Sequence, residues 1–256
     1  MKKNYLEIKI QDKIAWIKIN REEKLNALNI SMLEEIRKSL INLRDNKKVF
    51  VLVILGSGEK AFIAGADINE FSKYDRNKGL ELAKKGQENV LDLIENFPKP
   101  IIAGINGYAL GGGLELAMAC HMRVAVNTAR MGLPEVSLGL IPGYGGTQRL
   151  TKLVGKTNAM EMILSGEMID SQKALSLKLV NKVVERGNLI SSITELANKI
   201  MKNSPNAIAK AIEAINAAEK NLKGFEIEKE KFSECFESKD FKEGVSAFLN
   251  KRKPSF

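Results

Sequence analysis

Two acids stand out in the sequence, Glu115 at a helix start and Glu135 in surroundings that suit a carboxyl to proton transfer. Glu115 comes two residues after Gly111-Gly112-Gly113, and Glu135 follows Pro134 in the mostly apolar run Leu133-Pro134-Glu135-Val136. Apolar surroundings raise a carboxyl pKa towards neutrality, where an acid can both give and take protons. The stretch from Asn106 to Ala117 reads as strand, triple glycine, then a helix of small and apolar residues. Amides at a helix N-terminus stabilise negative charge, and Glu115 falls in that first turn. A third segment, Ala64-Gly65-Ala66-Asp67, crowds small residues at a strand end, where backbone amides can approach a ligand closely. No Lys-Ser/Thr pair follows the triple glycine, so it is not a Walker A loop, and its spacing is not GxGxxG. Taken singly, each segment has an equally plain structural reading: a tight turn, a first-turn acid, a loop acid.

Rare residues narrow the chemistry further. One histidine, His121, excludes any metal site built on two His ligands and leaves a single candidate for a His-based triad. Cys120 and Cys235 form neither a CxxC pair nor a disulfide framework, which fits small buried hydrophobes in a reducing cytoplasm. No apolar run approaches the ~20 residues of a membrane helix, and the opening Met1-Lys2-Lys3-Asn4 leads into no apolar signal core. The expectation is a cytoplasmic protein. The 256 residues carry a net charge of +9 with pI near 9.4. Such a balance fits a lysine-rich solvated surface or attraction to a polyanion or a phosphate-bearing ligand, and composition does not choose between them.

The elements that must position these residues follow an α/β pattern. Residues 14–20 and 49–55 read as short β-branched strands. Between them, Ser31 and Glu34 have capping-box spacing ahead of the apolar face Leu33, Ile36, Leu40 and Leu43. A second amphipathic helix is expected over 79–97, stopped by Pro98 and Pro100, and Ile101–Ile105 reads as a buried strand. Strand and helix alternate to about residue 190, as in parallel crossovers. Ser204-Pro205 reads as a helix start, and the sequence beyond is helical and charged, with Ile208, Ile212 and Ile215 on one face. This divides the chain at about 195, into a core of 1–195 and a helical region of 196–256.

Each segment is weak alone; their joint order and spacing is not. The Ala-Gly-Ala-Asp turn, the Gly-Gly-Gly-x-Glu helix start and the run Pro134-Glu135 through Ile141-Pro142-Gly143-Tyr144-Gly145-Gly146-Thr147-Gln148-Arg149-Leu150 resemble the crotonase, or enoyl-CoA hydratase/isomerase, superfamily. The opening Ile19-Asn20-Arg21 with Leu25-Asn26-Ala27-Leu28, and the ending Phe248 with Lys251-Arg252-Lys253, extend the resemblance over essentially the whole chain. It implies a spiral of repeated β-β-α units followed by a C-terminal helical trimerisation region, as a homotrimer or a dimer of trimers. It implies an oxyanion hole from the backbone amides of Ala66 and Gly112, with Glu115 and Glu135 as the catalytic pair. The implied acyl-CoA contacts are Lys24, Leu25 and Ala27 in the first turn, then Ala64, Ala66, Asp67 and Ile68. Further along they are Tyr108, Gly111, Gly112, Pro134 and Gly143, and near the end Phe248 and Lys251. The implied reaction is reversible syn addition of water to a 2-trans-enoyl-CoA, in fatty-acid β-oxidation or short-chain acyl-CoA metabolism. No metal and no cofactor are implied, coenzyme A being part of the substrate. His121 stands where many relatives have an acid and reads as structural; Arg21-Glu22-Glu23 lacks the proline common after the first arginine. Two alternatives remain at this stage: an isomerase of the same fold, which needs one of the two glutamates, and an idle RNA-binding paralogue. The second finds no aromatic stacking motif or arginine tract in its support.

Overall fold

A two-residue turn at Asp12-Lys13, both at positive φ (50° and 63°), folds β1 (Leu6–Gln11) antiparallel onto β2 (Ile14–Ile19). Positive φ at both central positions matches the right-handed twist of a hairpin. The computed structural model describes residues 4–219 and 224–256. The first helix, α1 (Ile30–Arg44), buries Met32, Leu33, Ile36, Leu40 and Leu43, the apolar face read from the sequence. Its cap differs from the expected one. Asn29 Oδ1 accepts the Met32 N–H at 2.7 Å, two residues ahead of Ser31, so the Ser31–Glu34 capping box does not form. Glu34 turns outward to Lys38 at 3.6 Å, while Glu35 accepts the amides of Tyr5 and Leu6 and ties the helix to the hairpin.

Three successive units then repeat one plan: a strand in a large sheet, a strand in a small sheet, and helix. The first is β3 (Val51–Gly56) and β4 (Ala61–Ala64), followed by α2 (Ile68–Phe71), α3 (Arg76–Gly86), a π turn at Gln87–Leu91, and α4 (Asp92–Glu95). The helix expected over 79–97 thus begins earlier, because Asp75 accepts the Lys78 N–H at 2.9 Å and caps it there. The second unit is β5 (Ile101–Ile105), β6 (Tyr108–Leu110) and α5 (Gly112–Ala119). The third is β7 (Met122–Val126), β8 (Arg130–Gly132), a 3₁₀ turn at Pro134–Leu138, and α6 (Gly146–Ser165). The chain closes the core with β9 (Ile169–Asp170), α7 (Ser171–Ser176), β10 (Lys182–Val184) and α8 (Leu189–Ile200). The large sheet runs β1-β2-β3-β5-β7-β10 and the small one β4-β6-β8-β9, so each unit advances both sheets by one strand. This is the expected spiral of β-β-α units. Strands β3 and β5 are almost wholly buried, as near-continuous apolar runs in a parallel sheet should be.

The register of the small sheet decides where the site lies. Ala64 pairs with Leu110, and Leu110 with Gly132, all parallel. Three chain segments therefore leave the sheet side by side at the carboxyl ends of their strands, the usual place for a ligand in parallel sheets. Asn106 locks the spiral behind that edge. Its Oδ1 accepts the Gly56 amide at 3.2 Å, and its Nδ2 donates to the carbonyls of Gly56 and Gly58 at 3.1 and 2.9 Å.

The chain leaves this core later than residue 195, which lies inside α8; the buried Leu189, Ile193 and Ala197 of that helix belong to the core. Three helices follow: α9 (Pro205–Glu219), α10 (Gly224–Cys235) and α11 (Lys239–Leu249). Ser204 Oγ accepts the Ala207 amide at 3.0 Å, the cap expected before Pro205. Ile208, Ile212 and Ile215 line a groove that Met122 and Leu153 of the same chain also line, and Ile215 is 65% exposed. Among the described residues no helix is long and apolar enough to cross a membrane.

Replacing Asn106 by alanine strands a buried amide and two carbonyls. Leaving buried groups unpaired costs about 1–3 kcal/mol, so the urea midpoint of Asn106→Ala should fall accordingly. An unchanged midpoint would show that Asn106 does not hold the two units together.

Candidate active site

Glu115 is 2% exposed on α5, a helix buried at every position. Its Oε1 accepts two backbone amides, from Tyr144 and from Gly146, each at 2.8 Å. Both amides can reach one oxygen because the chain reverses at Gly145, which sits in the left-handed region (φ 93°). A Cβ on Gly146 would lie 2.8 Å from that oxygen. Burial nevertheless wins: it pushes the Glu115 pKa from 4.5 up to about 7, against the pull of the two amides and of Arg149, and the charge of Glu135 adds to the rise.

Glu135 stands on the 3₁₀ turn that follows β8. Its Oε2 is buried without a hydrogen-bond partner among the described residues, and burial raises its pKa as well. The carboxyl rests on Gly111, where a Cβ would fall 2.7 Å from Oε1. Gly111 also adopts φ 48° and ψ −125°, a conformation open to glycine. One carboxyl is therefore gripped by two amides and the other has one oxygen, Oε2, left open, and burial raises both. Two carboxyls raised in this way can serve one as proton donor and the other as proton acceptor.

Two amides complete the edge. Gly112 is the first residue of α5, so its N–H has no preceding helical carbonyl to meet. Around Ala66, the Leu28 N–H donates to Gly65 O at 2.9 Å and the Asp67 N–H to Leu28 O at 2.7 Å. Strand alternation turns the Ala66 N–H to the opposite side of that ladder. The two turns touch: a Cβ on Gly111 would lie 3.7 Å from Gly65 Cα.

A cleft of about 550 Å³ opens on this edge, lined by Glu115 and Glu135 together with Ala64, Ala66, Ile68, Gly111, Gly112, Pro134 and Gly143. Other residues named from the sequence stand elsewhere. Asp67 is bound to Arg21 at 2.6 Å, which holds its carboxyl below the usual range, and it caps α2. Leu25 and Ala27 serve behind the edge, where Leu25 O accepts the Ala64 amide and Ala27 O the Arg21 guanidinium. Lys24 belongs to the one-turn 3₁₀ helix before them and does not line the cleft. Tyr108 begins β6, at the end of the strand away from the cleft, and is exposed. Lys251, exposed after α11, does not reach the cleft of its own chain, and the side chain of Phe248 lies outside the described residues. His121 is structural as expected: Nδ1 accepts the Ile101 amide at 2.9 Å, so Nε2 carries the proton towards Glu95 O at 3.2 Å, and burial lowers its pKa to about 4. The sequence reading missed the cover of the cleft, formed by Phe71, Tyr74, Leu82, Leu138, Leu140, Ile141 and Tyr144. The one signal for it was apolar residues at Leu138, Leu140 and Ile141 in a loop, where Ile141 is 71% exposed.

The family model described as Enoyl-CoA hydratase/isomerase matches residues 9–256. A short-chain-enoyl-CoA hydratase of Clostridium acetobutylicum is 40% identical over 99% of this chain and 97% of its own. A crotonyl-CoA hydratase of Syntrophomonas wolfei is 40% identical over 96% and 95%. Among solved structures, an enoyl-CoA hydratase from Bacillus anthracis superposes with a TM-score of 0.93 at 36% identity, covering 99% of both chains.

Burial of Glu115 has a consequence for stability. A carboxyl at about 7 in the fold and near 4.5 when unfolded binds more protons folded between those values, so its stabilising protonated state is lost as pH rises through 7. Glu115→Gln cannot titrate. Its stability relative to the parent should therefore rise between pH 5 and pH 8, by up to about 3 kcal/mol. Parallel melting-temperature curves for the two proteins over this range would refute a raised Glu115.

Proposed function

The chain belongs to the enoyl-CoA hydratase/isomerase family, and from that premise we propose that it is a hydro-lyase adding water reversibly to a 2-trans-enoyl-CoA. The observation that carries this reading is the pair of raised carboxyls, one gripped by two amides and one with a buried oxygen left open, on a single edge of the cleft. The thioester carbonyl lies between the amides of Ala66 and Gly112. The water oxygen bonds to C3 as its proton passes to Glu115, the C2–C3 π pair becomes the C1–C2 π bond, and the carbonyl π pair moves onto the oxygen. Glu135 then delivers its proton to C2 from the same face, giving the syn 3-hydroxyacyl-CoA. Amides preset towards a developing oxyanion do most of the lowering of the barrier; losing one such donor typically costs about 10²–10³ in rate.

The reading asks for no cofactor, because amides meet the charge and carboxyls carry the protons. Crotonyl-CoA is the substrate of first choice, since the similar proteins of Clostridium acetobutylicum and Syntrophomonas wolfei bear short-chain and crotonyl names. An isomerase has use for one proton-carrying carboxyl, and two stand here. A cytoplasmic setting accords with two cysteines that form no disulfide. We place the chain in a trimer or a pair of trimers, where Lys251 and Phe248 meet the coenzyme A of a neighbouring copy and part of the +9 charge serves its phosphates.

Hydration is read as loss of the enoyl-thioester ultraviolet band. Glu115→Gln and Glu135→Gln should each lower kcat by about 10²–10⁴, with KM little changed because the carbonyl is held by backbone groups. The double variant should lose far less than the product of the two, as groups acting on one water do. Crotonyl-CoA hydration at near the parent rate in Glu115→Gln would rule out the two-carboxyl mechanism, and one dispensable glutamate would favour the isomerase.

The assembly is tested separately. Light scattering should give three or six copies, and Lys251→Ala should raise KM and weaken its salt dependence. A stable monomer at micromolar concentration, or a KM indifferent to both changes, would refute this part.

A further inference from the structure

Arg149 occupies a position that helix physics disfavours. It is a buried cation in the first turn of α6, where the helix dipole repels positive charge. Its guanidinium is accordingly met on every side. Nη2 donates to Asp92 Oδ1 at 2.7 Å and to Glu95 Oε2 at 2.5 Å, and Nε donates to the same Glu95 oxygen at 3.1 Å. The remaining branch, Nη1, donates to the carbonyl of Tyr144 at 2.8 Å.

That last bond is the informative one. Tyr144 offers its carbonyl to Arg149 and its amide to Glu115, and the second amide on Glu115 comes from Gly146, two residues on. Between them Gly145 leaves no room for a side chain, since a Cβ there would lie 2.4 Å from Arg149 Nη1. The turn is thus pinned from behind by a rigid fork and presents both amides forward. Glu95, the anchor of the fork, is held in turn: its carbonyl accepts His121 Nε2–H at 3.2 Å and Asn216 Nδ2–H of α9 at 2.6 Å. An arginine is needed for this, because a point charge cannot hold two carboxylates and a carbonyl in fixed directions.

We propose that Arg149 is a positioning residue for the hydration step: by fixing the Tyr144 carbonyl it holds the two-amide grip on Glu115 Oε1 and so aims the other carboxylate oxygen at the water. The inference rests on the reading of Glu115 as the group that activates water. Loss of Arg149 would loosen the amides and remove a nearby positive charge, and both changes make Glu115 harder to ionise. The groups facing Glu115 are Glu135 from the 3₁₀ turn, Arg149 from α6 and the Tyr144 hydroxyl from the loop; those facing Arg149 are Asp92 and Glu95 of α4.

The test is a cycle on the full-length chain with crotonyl-CoA, using Arg149→Met in the parent and in Glu115→Gln. In the parent, kcat should fall by about 10²-fold, the loss typical of a reacting group displaced by about 1 Å. KM should hold, and the acidic limb of the kcat–pH profile should move to higher pH. In Glu115→Gln the same substitution should cost less than about threefold, because there is no ionising carboxyl left to aim. Equal losses in both backgrounds, or an unmoved pH profile, would make Arg149 a support of the fold and overturn the proposal. Should Arg149→Met not accumulate as folded protein, Arg149→Lys carries the same cycle, and parent kcat with an unmoved pH profile in it also overturns the proposal. A parent without hydratase activity would instead remove the function on which the inference rests, an outcome visible before any Arg149 variant is made.

Discussion

A carboxylate at 2% exposure is the constraint on which the rest of this structure depends. Moving such a charge out of water costs several kcal/mol even after relaxation, and among the described residues Glu115 has no salt-bridge partner to offset it. What it has is two backbone amides on one oxygen. Backbone groups can serve only if the chain is bent so that donors two residues apart converge, which demands the left-handed Gly145. They remain in place only if the turn is fixed, and Arg149 fixes it through the Tyr144 carbonyl. The glycines, the buried arginine and its two acids on α4 are thus answers to one electrostatic problem.

The spiral supplies the other half of the answer. Because each β-β-α unit steps both sheets by one strand, segments more than twenty residues apart in sequence end in register: Ala64 beside Leu110, Leu110 beside Gly132. Ala66 and Gly112 are each two residues beyond their paired ends, and Glu135 is three beyond Gly132. No loop has to reach across the molecule to assemble the edge. The asparagines that pin the turns, Asn106 and Asn26, stand in for backbone partners where the chain passes between sheets; Asn26 Nδ2 donates to Ser57 O and Ala61 O at 2.9 and 3.0 Å.

What could be read from the sequence was what local chemistry determines. Ile101–Ile105 forms the strand read from its apolar run, and the triple glycine opens a helix with Glu115 in its first turn. The misreadings share a cause as well. Ser31 has the right spacing for a cap, but Asn29 takes the amide first, and Asp75 starts its helix three residues ahead of the apolar pattern. Residue 195 sits within a helix whose burial against the sheet leaves no mark in composition. Ile208, Ile212 and Ile215 share a face as read, and periodicity says nothing of what such a face meets; they line a groove beside the core in which Ile215 is 65% exposed. The grip on Glu115 was invisible for a deeper reason: backbone amides carry no sequence signature, and the glycines that free them read as an ordinary loop.

The proton inventory of the proposed reaction explains why two differently held acids serve better than two alike. During hydration Glu135 gives a proton to C2 while Glu115 receives one from water, so the pair holds one proton at the start and one at the end. The net charge of the pair is therefore the same before and after the reaction. Reversal needs the same two transfers in the opposite order, which demands that neither acid be strongly preferred by the proton. Burial raises both, with the two amides and Arg149 opposing the rise at Glu115. A single carboxylate could move a double bond by taking a proton and returning it. Adding water across one face of a double bond requires an acceptor for the water proton and a donor for C2, and the two differently held carboxyls are suited to those two parts.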